Sequence, residues 1–151
     1  MVGGNGNFAN DTAAFIGGGS GNKAHAAHCV VAGGSDNSVG WQGTSGVVSG
    51  GDGNVIRSKS FATIGGGFQN TVLLGEGAVV AGGIQNIAGS DFASVGGGKI
   101  NSAFGKFSTV GGGGGNRVVG FFGVIAGGRQ TFVNGSSATV GGGYLNAAMS
   151  T

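Results

Sequence analysis

The chain has 151 residues, 40 of them glycine and none proline, with 39% hydrophobic and 8% charged positions and a formal net charge of +2. This mixture excludes an ordinary globular domain, a polar disordered linker and collagen, since proline is lacking and glycine keeps no period of three. Seven basic and five acidic residues are too few and too dispersed for a nucleic-acid surface, and no apolar run approaches the roughly 20 residues of a membrane helix.

In chain order, a Gly-Gly-x-x-Asn motif recurs from one end to the other. Its last position falls on Asn7, Asn22, Asn37, Asn54, Asn70, Asn86, Asn101, Asn116, Thr131 and Asn146, with Thr131 the one departure. The spacings are 15, 15, 17, 16, 16, 15, 15, 15 and 15 residues. Six residues before these positions stand Ile16, Val31, Val48, Ile64, Val80, Val95, Val110, Ile125 and Val140; in the first copy that place is Met1. The six-residue distance never varies, so the additional residues lie after Asn37, Asn54 and Asn70. One turn of each repeat is fixed and the other is elastic.

Inside each unit the alternation has a period of two, which predicts two short strands. The first strand reads small, x, Val/Ile, and its small column is Ala14, Cys29, Gly46, Ala62, Ala78, Ala93, Ser108, Gly123 and Ala138. The second carries Ala9, Ala24, Val39, Ile56, Val72, Ala88, Ala103, Val118, Val133 and Ala148 two residues beyond the asparagine position. The fold class expected is an all-β parallel β-solenoid, a single repeat domain over 1–151, with about ten coils stacked about 4.8 Å apart. Glycine suits the tight fixed turn, and stacked asparagines are expected to bond amide to amide as a ladder.

The outward positions of the first strand, from Phe15 and Val30 to Val124 and Thr139, carry no charge. Two residues earlier stand Phe61, Phe92, Phe107 and Phe122, in register and expected at a subunit interface; His28, Ser45 and Ser137 share their column. The second strand presents Lys23, Arg57, Arg117 and His25 among apolar residues, so water can wet it. A sheet apolar on both faces is covered on both faces. A core of Ala, Val and Gly buries little area per residue at about 25 cal/mol per Å², which again predicts an oligomer. The longest elastic turn, GWQGT at 40–44, carries the single tryptophan, and Trp41 is a candidate ligand contact.

Units such as FASVGGGKINSAFGK and FSTVGGGGGNRVVG resemble the YadA-like head repeats of trimeric autotransporter adhesins, and the resemblance spans essentially the whole chain. It implies a left-handed β-roll, three chains packed side by side, and a non-enzymatic extracellular head segment that attaches to host or abiotic surfaces. The partners implied are the chain itself, as a homotrimer or an end-to-end fibre, and an unknown surface receptor. Membrane insertion by this segment is not expected. The alternative is a structural segment of a phage tail fibre or of a self-assembling extracellular filament. Met1 begins in phase with the repeat, no signal peptide is recognisable, and both ends stop inside the pattern without a cap, so a piece of a longer fibrous chain is expected.

The residues suggest neither catalysis nor a cofactor. His25, His28 and Cys29 include metal-ligating types, yet Cys29 falls in the interior column and His28 in the phenylalanine column, with no second ligand pair at zinc spacing. The glycine runs lack the Gly-Lys-Ser/Thr of a phosphate loop. Five scattered acidic residues offer no acid–base pair. Asn10-Asp11-Thr12 and Asn134-Gly135-Ser136 match the glycosylation pattern at the level of chance. An ice-binding threonine file is interrupted at Val79, Ser94 and Val124.

Overall fold

The computed structural model describes residues 3–58 and 60–149. Within them the chain is an all-β parallel β-solenoid of about nine turns, with no helix. Ten strands form one sheet: β1 (Phe8–Ala9), β3 (Lys23–Ala24), β5 (Ser38–Val39), β7 (Val55–Ile56), β9 (Thr71–Val72), β11 (Ile87–Ala88), β13 (Ser102–Ala103), β15 (Arg117–Val118), β17 (Phe132–Val133) and β19 (Ala147–Ala148). Nine form the other: β2 (Phe15–Ile16), β4 (Val30–Val31), β6 (Val47–Val48), β8 (Thr63–Ile64), β10 (Val79–Val80), β12 (Ser94–Val95), β14 (Thr109–Val110), β16 (Val124–Ile125) and β18 (Thr139–Val140). The position expected on Met1 lies outside the described residues.

Each strand is only two residues long, one facing out and one facing in. The inward residue pairs with its copy one coil away, as Val80 does with Ile64 and Val95, and Ala88 with Val72 and Ala103. Both inward columns are fully buried through the middle of the rod, from Ile16 to Ile125 and from Ala24 to Val133. Burying a Val or Ile side chain contributes about 1.5–3 kcal/mol, so these two columns hold the coils on a common axis. The added residues of the third, fourth and fifth coils lie where the spacing places them, between β5 and β6, β7 and β8, and β9 and β10.

Main-chain pairing extends beyond the strands. A third parallel file of bridges runs through the fixed turn, from Asn5 through Ser20, Ser35, Asp52, Phe68, Ile84, Lys99, Gly114 and Arg129 to Tyr144. From Asn5 to Arg129, the N–H of each donates to a glycine carbonyl one coil on, as Ser20 does to Gly34 at 2.9 Å and Phe68 to Gly83 at 2.9 Å. A buried, unpaired main-chain group is costly, and a turn stacked on its own copy satisfies these groups without side chains. This is what lets the turn hold so much glycine.

The phenylalanine column corrects one expectation. Phe61, Phe92, Phe107 and Phe122 do not continue the first strand's outward face; each sits in the elastic turn with a left-handed backbone, φ between 53° and 58°. Ala13, His28, Ser45 and Ser137 share that conformation. The reversal places the next residue, the small column, inside the rod: Cys29, Ala62, Ala78, Ala93 and Ser108 are fully buried. The strand therefore starts later and is shorter than the alternation read from the sequence implies.

Candidate functional site

Two turn faces, one fixed and one elastic, carry the side chains outside the sheets. On the inner side of the fixed turn, Asn22, Asn37, Asn54, Asn70, Asn86, Asn101 and Asn116 are wholly buried. Asn54 shows the arrangement: its Nδ2 donates to the carbonyls of Gly50 and Gly67, both at 2.9 Å, and to Asn37 Oδ1 at 3.1 Å. Its Oδ1 accepts the main-chain N–H of Asn70 at 3.0 Å. The amide-to-amide ladder expected from the sequence runs from Asn7 to Asn70. The bond from each main-chain N–H to the preceding Oδ1 continues to Thr131. These amides are consumed within the rod. They lock coils together and present nothing to a ligand.

The glycine before each x-x pair is equally constrained. Gly67 has φ of +94°, and a Cβ built on it runs into the carbonyl oxygen of Gly83 in the next coil. Only glycine permits that approach.

The two x positions face outward, and the second is left-handed, as at Asp36, Gln69, Gln85, Ile100 and Gln130. Read up the rod, this face passes from neutral rungs at Asn5 and Ser20 to acidic ones at Asp36 and Asp52. It becomes neutral at Phe68 and Ile84, where Gln85 Nε2 donates to Gln69 Oε1 at 3.1 Å, turns basic at Lys99 and Arg129, and closes on the neutral Tyr144. Between the two cations the x-x pair is Gly114-Gly115, and the missing side chains leave a notch of about 390 Å³ lined by Lys99, Ile100, Gly114, Gly115, Arg129 and Gln130. Lys99, Gly114 and Arg129 are bridged on successive coils, so the two cationic residues stand about 10 Å apart along the axis.

On the elastic side, Phe92, Phe107 and Phe122 form a continuous stack, with centroids 5.2 Å apart and ring planes within 5° of parallel. Lys106 lies over the Phe107 ring at 5.4 Å and pairs with Asp91 at 3.3 Å. Phe61 stands apart, because the intervening coil has Gly77 in that column and the ring of Phe92 covers it. All four rings remain substantially exposed, Phe61 at 63% and Phe107 at 42%. Trp41 is exposed at 66% and stacks on His25, centroids 4.9 Å apart and planes at 19°, while Phe8 tilts against His25 from the other side at 5.6 Å. His25 Nδ1 bonds Asn10 Oδ1 at 3.2 Å.

The histidines and the cysteine of the second coil do not converge. Cys29 is buried in the core, and burial raises its thiol pKa above the ordinary value; His25 stacks outside. Among the described residues no group of three His, Cys, Asp or Glu side chains stands close enough to share a metal ion. No helix among them is long and apolar enough to cross a membrane.

The sequence motif does not reveal the notch, because Gly114 and Gly115 fall on the two x positions of a Gly-Gly-x-x-Asn repeat. The signal available was their neighbourhood: the same column carries Phe68 and Ile84 earlier, and Lys99 and Arg129 on either side. Compared with models of protein families and with curated proteins, the chain matches none.

Proposed function

We propose that the chain is a non-enzymatic head segment of an extracellular fibre, of the kind its repeats resemble: a left-handed β-roll, three copies side by side, attaching to host or abiotic surfaces. The observation that carries this reading is a sheet with uncharged outward positions beside a stack of exposed phenylalanines, on a rod whose interior is already full. Phe15 and Val79 are exposed on one sheet. The stacked Phe92, Phe107 and Phe122 stand beside that sheet on the elastic turns. A row of exposed stacked phenylalanines beside an uncharged sheet suits a contact surface, and association through it adds the burial that a core of Ala and Val supplies sparingly. Three parallel rods repeat every outward-facing group three times, so individually weak contacts sum to firm attachment.

Mass in solution, by sedimentation or light scattering, tests the assembly. A discrete trimer is the expected result, and a folded monomer at micromolar concentration rejects it. An open-ended polymer without surface attachment selects the structural-filament alternative.

A further inference from the structure

We propose that the notch between Lys99 and Arg129 binds an acidic saccharide, with a carboxylate or sulfate of one sugar unit held between the two cationic side chains. Both are exposed, and among the described residues neither has a carboxylate partner; the single ion pair there is Lys106 with Asp91. Of the five acidic residues, Asp11, Glu76 and Asp91 lie in elastic turns, and only Asp36 and Asp52 share the notch's face. The nearer, Asp52, is three coils below Lys99, about 14 Å at the solenoid spacing, and physiological salt screens charge over about 8 Å. The positive potential of the notch is therefore not cancelled within the chain.

The walls argue for a sugar. A volume of about 390 Å³ lies in the range of about 300–1,000 Å³ typical of small-ligand sites. Ile100 offers an apolar side to a ring face, the Gln130 amide offers donors and an acceptor to hydroxyls, and the Gly114-Gly115 floor permits close approach to the main chain. Arg129 grips a planar or tetrahedral anion with paired N–H donors, and Lys99 adds a point charge. Two cations flanked by neutral turns do not supply the basic track that a nucleic acid requires.

The inference rests on the attachment reading for its biological setting, whereas its test does not, because a chain that failed to trimerise would still hold the notch. Titration of the protein with a sulfated, uronate-containing disaccharide, a neutral disaccharide of equal size and inorganic sulfate, followed by calorimetry, separates the outcomes. Binding of the sulfated disaccharide alone, weakening as salt is raised, supports the proposal. Lys99→Gln and Arg129→Gln should each weaken it by about tenfold, and Lys23→Gln, outside the notch, should not. Gly114→Phe fills the notch at a place where the equivalent residue is Phe68; a Cβ there has only Lys99 O nearby, at 3.9 Å, so melting should be unchanged and binding lost. Equal binding of the neutral sugar, sulfate binding as tightly as the disaccharide, no binding at millimolar concentration, or full binding by a folded Gly114→Phe variant would each overturn it.

Discussion

The main-chain N–H of Thr131 donates to Asn116 Oδ1 at 3.0 Å, but nothing is handed on, because the Thr131 hydroxyl is buried and has no partner. The asparagine column is interrupted at this one rung. Thr131→Asn supplies an amide where the carbonyls of Gly127 and Gly143 stand as Gly112 and Gly128 do around Asn116. It should raise stability by about 1–2 kcal/mol, read as a higher denaturation midpoint at an unchanged slope.

Removing a rung has the opposite effect. Asn70→Ala leaves the carbonyls of Gly66 and Gly83 without their amide donor and takes the acceptor from the Asn86 N–H. The expected loss is about 2 kcal/mol or more, since buried groups left unpaired cost about 1–3 kcal/mol each and Gly83 O keeps the Phe68 N–H. Asn70→Thr, which imitates the natural exception, should cost as much or slightly less; a loss below about 1 kcal/mol for the alanine variant rejects the locking role.

Glycine substitutions should divide sharply by position. Gly67→Ala combines a left-handed backbone with a collision against Gly83 O and should prevent folding or lower the melting temperature by tens of degrees. Gly112→Ala, whose Cβ meets nothing within 4 Å, should change stability by no more than about 0.5–1 kcal/mol. Far-ultraviolet circular dichroism during heating distinguishes the two.

Phe107→Gly probes the aromatic stack. The left-handed turn disfavours phenylalanine by about 1–2 kcal/mol relative to glycine, which offsets the lost stacking and the greater freedom of the unfolded chain. Stability of the fold should stay within about 1 kcal/mol of the parent, while association weakens by about tenfold or more. Dissociation measured by sedimentation across a dilution series, beside thermal melting, reads the two effects separately.

Cys29 sets a pH dependence. Its thiol pKa is raised by burial, so folding favours the protonated form. That contribution is fully present below the unfolded thiol's pKa of about 8.5 and is lost as pH rises through the higher folded value. Stability should fall as pH rises above the unfolded thiol's value of about 8.5. Cys29→Ala, matching Ala62 and Ala78 in the same column, should flatten that decline. In the native state at neutral pH the thiol should resist alkylation, as a buried thiol holds little thiolate.

The coil register was legible in the sequence because a solenoid places each residue against its own copy. Ile64, Val80 and Val95 announce their pairing by recurring, and the added residues after Asn37, Asn54 and Asn70 mark the elastic side without ambiguity. The turns were less legible. Periodicity of two carries no sign of backbone handedness, so Phe92, Phe107 and Phe122 read as strand residues although the chain reverses beneath them. Nor does an asparagine column reveal whether its amides face one another or the glycine carbonyls of two coils. The notch was hidden for a related reason: it consists of side chains absent at Gly114 and Gly115, and it becomes visible only once Lys99 and Arg129 are seen to flank that gap in space.

Hydrogen bonds between coils join residues close in sequence, as Val79 N–H to Ala93 O or Asn54 N–H to Asn37 Oδ1. Loop closure for each such contact is short, and low separation of this kind favours rapid folding that can begin anywhere and spread to neighbours. A chain delivered from one end therefore needs no distant partner to wait for: every newly emerged winding finds its template in the one before it, and assembly proceeds as a ratchet, at the pace of delivery.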